Sequence, residues 1–270
     1  MSGLLDAPLG AIAFCWRIAR RDGVTLGFTS HDRDLEMDGL RYRAAPGMLP
    51  SAIEKSDGID PDSVEVSGAL TAAAISADDL AAGRWDGAAV RLFATDWTAP
   101  GEALVLLRGT FGAVEQARGT FSVALNGPTA LLDAPASEAT SPTCRAELGD
   151  RRCRVALRGR RRMARVVAAD GATVTLDAAE PGANAWGNGL LRWIDGPNGG
   201  TSAAVLASSG AVVTLAEPPA FAVSAGARVL LTEGCDKRLA TCAGRFANAV
   251  NFRGEPFLPG NDLLTRYPGE

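Results

Sequence analysis

Lysine is nearly missing from this chain of 270 residues: it occurs only at Lys55 and Lys237, although arginine is abundant. That imbalance has the character of GC-rich coding bias and carries no function. Histidine occurs once, as His31, and the sequence contains no G-x-G-x-x-G, no G-x-x-x-x-G-K-[ST] and no H-E-x-x-H. The phosphate-cradling loops and helical zinc-protease sites that need those patterns are therefore excluded. No apolar run approaches eighteen residues, and MSGLLDAPLGAIAFCWRIARRD has no basic region ahead of its apolar stretch. A spanning helix and a secretory leader are both unexpected, and the chain is expected to fold in the cytosol. A net charge of −4 and a pI near 5.2 argue against a general nucleic-acid or membrane-surface binder. Hydrophobic residues make up 47%, which argues against disorder.

What is present is a dense series of short strand patterns. Residues 11–50 alternate apolar runs with turn signals at Asp22-Gly23 and Asp38-Gly39, which read as β-hairpins. VEVSGAL continues the strands to about Leu70. ISADDLAAGRW reads as a short helix with Ser76 as N-cap, Asp78 and Asp79 at the positive end of the dipole, and Gly83 as its stop. Strands resume in AAVRLFATDW, EALVLLRGTFGAVEQ and GTFSVALNG, followed by a helical turn in PTALLDA. The small, polar, proline-containing stretch 133–143 marks a domain boundary. Beyond it ARVVAADGATVTLDAAEPG is repeated as AAVLASSGAVVTLAEPPA at an offset of 39 residues, and each copy precedes a further strand, GLLRWID and ARVLLTE. Two copies are too few for a solenoid and suit a small sheet or barrel. The expected fold is thus mainly β, a β-rich α+β chain of two β-domains with short helices, spanning 1–135 and 136–270, the second holding two repeated hairpin units and a cysteine-ligated site.

Four of the five cysteines form two pairs, Cys144/Cys153 and Cys235/Cys242, on either side of the repeats, and Cys15 stands apart. Eight and six intervening residues exceed the gap of an ordinary zinc knuckle. If TEGCDKRLATC is helical, Cys235 and Cys242 share one face. Four thiolates suit a [4Fe–4S] or [2Fe–2S] cluster or a tetrahedral zinc ion, and spacing alone leaves disulfides and unrelated buried thiols open as well. A reducing cytosol weighs against disulfides. Nine arginines lie between Arg145 and Arg165 against Glu147 and Asp150 alone. Such a run would stabilise an anionic cluster, but it equally suits a solvated face or an acidic partner; it lacks the interleaved aromatics of a nucleic-acid surface.

Catalytic readings are weaker. Ser30, His31 and Asp32 are adjacent on an extended chain, alternate in direction and cannot form a relay. Cys15 lies in an apolar strand, where an inert buried thiol is the ordinary outcome. Asp32, Asp34, Glu36 and Asp38 share one strand face, which suits a solvated surface or subunit contact better than a calcium or glycosidase site.

Three strings, GFTSHDRDLEMDGLRYRA, LAAGRWDGAAVRLFATDW and GCDKRLATCAGRFANAVNFRGEPFLPGNDLL, resemble the tail hub proteins of gene transfer agents and long-tailed phages. In that family a phage phiJL001-type C-terminal domain follows a conserved uncharacterised N-terminal domain. The resemblance covers essentially the whole chain. It implies a non-enzymatic baseplate hub assembled in the bacterial cytoplasm into a virion-like particle. Its implied partners are itself as a homotrimer, a distal tail protein, a tail-tip central or fibre protein and a cell-wall peptidase. DNA passage through the assembly is compatible with this, without specific nucleic-acid binding. It also implies a structural [4Fe–4S] cluster on Cys144, Cys153, Cys235 and Cys242, with zinc as the alternative. A tail-tip enzyme or a zinc-stapled adhesin are the competing readings.

Overall fold

The computed structural model describes residues 11–45, 49–50, 63–69, 75–101, 103–117, 120–127 and 137–257. The helical turn expected in PTALLDA lies outside them. The chain divides into two units, Met1–Ala136 and Ser137–Glu270, and each is mainly β.

Among the described residues of the first unit nine strands form one sheet, in the order β3-β4-β2-β1-β7-β8-β9-β6-β5. They are β1 (Ile12–Ala19), β2 (Thr25–Thr29), β3 (Leu35–Met37), β4 (Leu40–Ala44), β5 (Leu49–Pro50), β6 (Ser63–Ala69), β7 (Ala89–Asp96), β8 (Ala103–Ala117) and β9 (Thr120–Asn126). Both expected hairpins form. Asp38 and Gly39, at φ of 51° and 70°, make the two-residue turn between Met37 and Leu40, the left-handed pair that matches strand twist. The period-2 pattern of β1 buries both sheet faces: Trp16 and Ile18 join one apolar cluster, Ala13 and Cys15 another with Tyr42 and Phe93. Helix α1 (Ala77–Ala81) starts where Ser76 accepts a bond from the Asp79 amide, and it ends at Gly83, whose φ of 67° favours glycine. Leu80 and the following Trp85 pack into the first cluster.

The second unit contains a closed six-stranded barrel, ordered β10-β11-β14-β13-β12-β15. Its strands are β10 (Arg161–Asp170), β11 (Thr173–Leu176), β12 (Leu190–Trp193), β13 (Ser202–Ser209), β14 (Val212–Leu215) and β15 (Arg228–Thr232). Closure removes the free edges of an open sheet. The repeat explains the order. Val174 pairs with Val213, its own equivalent 39 residues on, so a local twofold axis passes between them. The symmetry extends through the wall. The Leu176 amide donates to Ala211 as Leu215 donates to Ala172, and Val166 donates to Ala227 as Val205 donates to Gly189. In the third strand of each copy the offset becomes 38, and Arg192 pairs with Leu230 on the opposite wall. Each repeat therefore supplies three strands, and the rotation exchanges the two ends of the barrel. Alternate residues, among them Ala164, Val166, Val174, Leu191, Trp193, Val205, Val213, Val229 and Leu231, point inward and fill it. After β15 come helix α2 (Leu239–Gly244) and a 3-10 turn, Ala249–Asn251.

Candidate cysteine centre

Among the described residues no helix is long and apolar enough to cross a membrane, a finding that does not bear on β-barrels. All five cysteines are free thiols. Cys15 lies fully buried in the first unit, its thiol donating to Thr29 Oγ1 at 3.5 Å, and burial pushes its pKa up. Those are the properties of an inert packing residue. His31 Nδ1 accepts from the Arg33 amide at 3.0 Å and lies 3.1 Å from Asp32 Oδ1, and its ring meets that of Trp97 at a tilt of 37°. Asp34 accepts from the Ala44 amide and from Arg41 Nε, which in that order hold its carboxyl below the usual range. These bonds are structural.

The other four cysteines belong to one neighbourhood of the second unit. The Cys144 amide donates to Lys237 O at 2.8 Å, which ties the first pair to the loop carrying Cys235. Asn248 joins the remaining two: its amide N–H donates to Cys242 O at 3.0 Å and its side chain to Cys153 O at 2.6 Å. Asn251 donates to Asn248 Oδ1 and so fixes which way that amide faces. The thiols sense one another. Burial, followed by the like charge of Cys144, Cys235 and Cys153, raises the pKa of Cys242. Burial is also the main cause for Cys235, which feels Asp236 and Cys144 in addition.

Each loop has a local reason for its shape. Asp150 accepts bonds from the amides of Glu147, Arg152 and Cys153, led by the 2.6 Å bond from Cys153, and these hold its carboxyl low. The turn Leu148-Gly149-Asp150 is thereby closed; Gly149 takes φ of 82°, and a Cβ there would strike Leu157. Cys235 does not share a helix with Cys242. Lys237 adopts φ of 63°, and the Asp236 carboxylate takes the Arg238 amide and the Thr241 hydroxyl, so the helix starts only at Leu239. A side chain competing for backbone amides overrides the helical reading of TEGCDKRLATC. The outer rim is a third chain segment. Arg145 N donates to Arg253 O, Glu255 N to Ser141 O, and Arg253 N points at Cys144 Sγ from 3.4 Å. Arg145 and Glu255 meet side by side at 2.6 and 2.8 Å, a pairing that lowers Glu255 to about 2. A Cβ on Gly254 would lie 2.5 Å from Thr143 O, so only glycine permits this approach.

The arginine run is partly consumed by internal pairing. Arg145 and Arg152 both engage Glu138, and Arg160 joins Arg245 on Glu233, which is only 8% exposed. Both guanidinium groups lie over Phe246, with centroid distances of 4.7 and 5.0 Å. Arg245 further donates to Gly234 O and Ala185 O, locking α2 onto one end of the barrel beside the Cys235 loop. Sequence reasoning did not foresee the bonds made by Asn248 and Glu233. Their roles come from partners up to 95 residues away, and no spacing rule announces that.

The donor set is chemically right for a thiolate-held centre, but among the described residues no group of three or more His, Cys, Asp or Glu is close enough to hold a metal ion as it stands. Cys242 feels the charge of the other three thiols. A cluster, itself several ångströms across, keeps its ligand sulfurs farther apart than one zinc ion with bonds of about 2.3 Å.

Comparison with known proteins places these features. Residues 1–156 match a family model described as baseplate hub protein, N-terminal attachment domain, and residues 184–262 match one described as phage conserved hypothetical protein BR0599. A solved structure of the virion of a native gene transfer agent particle contains a chain 35% identical to this one. The match covers 100% of this chain and 95% of that chain, with a TM-score of 0.86. No curated protein matches.

Proposed function

The chain belongs to the phage baseplate hub proteins, and on that premise we propose that it is a structural hub subunit at the tail tip of a gene transfer agent or siphophage-like particle. It joins the tail tube to the tip and cell-wall-penetrating proteins, and a [4Fe–4S] cluster on Cys144, Cys153, Cys235 and Cys242 staples its second unit. The observation that supports the staple is that the segments carrying Cys144 and Cys153 and those carrying Cys235 and Cys242, more than eighty residues apart in sequence, are tied side by side through Lys237 O and Asn248.

When bound, such a cluster cross-links the segments and contributes folding energy directly, as structural metals do. The chain's own residues prepare the place. Asp150 and Asp236 shape the two loops, and Asn248 sets their separation. The Arg253 amide offers a hydrogen bond to Cys144 sulfur, where a thiolate would accept it. Cys15, His31 and Asp34 are engaged in packing and pairing as described above, which favours assembly over turnover. Charge suits assembly too: residues 1–136 carry 18 acidic and 11 basic side chains, whereas 137–270 carry 13 and 16. Unlike surfaces of neighbouring subunits attract one another, with a homotrimer as the proposed unit.

Anaerobic purification tests the staple. The expected product is brown, absorbs broadly near ~400 nm and contains about four irons per chain. A colourless protein with one zinc per chain would replace the cluster by zinc, and a metal-free protein with full stability would remove the staple altogether. Trimerisation indifferent to salt would count against the electrostatic part.

A further inference from the structure

Like charges face one another across three neighbouring strands of the first unit. Arg17 of β1 is the register partner of Arg91 of β7, and Arg91 is in turn the partner of Arg108 of β8. Cross-strand partners point to one face of a sheet with their Cβ atoms about 5 Å apart, where like charges destabilise the pairing. The row spans about 10 Å. Among the described residues no carboxylate pairs with any of its three guanidinium groups. Asp22 is taken by Arg20, and Asp38, whose charge Tyr42 feels, stands in the turn between β3 and β4. Arg91 lies over the Phe93 ring at 5.1 Å, and its Nε is buried with no hydrogen-bond partner. Repulsion along the row and an unmade bond at Arg91 are both costs that the fold itself leaves standing.

We propose that this row is a docking site for a short acidic segment of another protein, whose carboxylates pair with Arg17, Arg91 and Arg108. The neighbouring side chains set the row apart. On one side stand Cys15 and Phe93, 0% and 3% exposed; on the other the same registers place the small residues Ala19, Ala89 and Thr110, the last two exposed together with Arg108. Tyr42 closes the Arg17 end. It shares the row through Gly27, where a Cβ would lie 2.9 Å from its ring. Burial foremost raises the pKa of Tyr42, while the charges of Arg17 and Arg91 oppose that rise, which puts both guanidinium groups close to it. Charge selects the occupant. Arginine presents a fork that matches a carboxylate, and several carboxylates together offset the repulsion along the row. The unit around it is acidic, 18 side chains against 11, so a long polyanion such as a nucleic acid meets that excess as well, whereas a short acidic segment meets the row alone. That the segment belongs to another subunit of the particle rests on the hub reading; the row itself does not.

Titrating hexaglutamate into full-length protein at low salt, with hexaglutamine as the neutral control and calorimetric heat as the readout, tests the row without any other part of a particle. The expected result is saturable binding of hexaglutamate alone, weakened about tenfold by Arg91→Gln and several-fold by Arg108→Gln, and weakened further by added salt. Arg108 is exposed, so its variant carries the comparison if Arg91→Gln impairs folding. Arg161→Gln with Arg162→Gln, exposed positions of the second unit, should leave the affinity unchanged. No binding, equal binding by the Arg91 and Arg108 variants, or binding that follows Arg161 and Arg162 would overturn the site. Tighter binding of a single-stranded oligonucleotide of equal charge would overturn the acidic segment in favour of nucleic acid, and inorganic phosphate as effective as the peptide would overturn it in favour of a small anion.

Discussion

The two units are both β-rich, yet their cohesion has different sources. The first buries large side chains on both faces of one sheet, with Trp16, Phe28, Trp85 and Tyr42 each 1% exposed. The second has an equally dry barrel, but the segment beyond β15 has little of its own to bury. Residues 234–257 contribute only Cys242 and Phe246 to the buried apolar set, and α2 has six residues, too few to persist alone. Polar bonds to residues 141–153 and, through Arg245, to Glu233 and Ala185 O hold it instead. The contrast teaches that two β-rich units can differ in kind, one stabilised by area and another whose end depends on a few specific bonds and, on our reading, on a cluster.

Removing the staple should separate the units most sharply. Cys153→Ser with Cys242→Ser is expected to abolish bound iron and lower the melting of the second unit by about 10 °C or more, since structural metals contribute several kcal/mol. Calorimetry should leave the first unit's transition in place, and equal loss in both would erase the contrast. Glu233→Ala should cost the second unit about 2–3 kcal/mol, because Arg160 and Arg245 then share a site without its carboxylate; chemical denaturation measures it. Asn248→Ala should cost about 1–3 kcal/mol by removing the side-chain donor to Cys153 O and the acceptor of Asn251, while the backbone bond to Cys242 O stays, with iron content falling while the barrel's circular dichroism persists. Ser76→Ala acts on the first unit alone, at about 1 kcal/mol for a lost N-cap. The smallest effect is a pH dependence. Glu255 is lowered to about 2, foremost by Arg145, so its contribution is complete above its ordinary value near 4.5 and disappears as pH falls through about 2. Glu255→Gln should flatten the second unit's stability over that window, read by melting at stepped pH.

Much of the architecture was legible in the residues. The Asp38-Gly39 turn, the Ser76 cap and the Gly83 stop are local, set by backbone conformations that few residue types adopt, and each stands where the pattern put it. The 39-residue repeat foretold two equivalent hairpins with a following strand, though not that Val174 would meet Val213 on an axis and close a barrel. The helical reading across Cys235 failed because Asp236 and Lys237 bend the chain before the helix begins.

Sequence by itself determined strand content, the duplication and the two cysteine pairs, because alternation, turn chemistry and spacing are short-range properties of a polymer. Only the tertiary structure decided that Asn248 bridges Cys153 and Cys242 and that Glu233 gathers two arginines. Those relations join residues dozens of positions apart, where chain connectivity imposes no order and packing alone selects the neighbour.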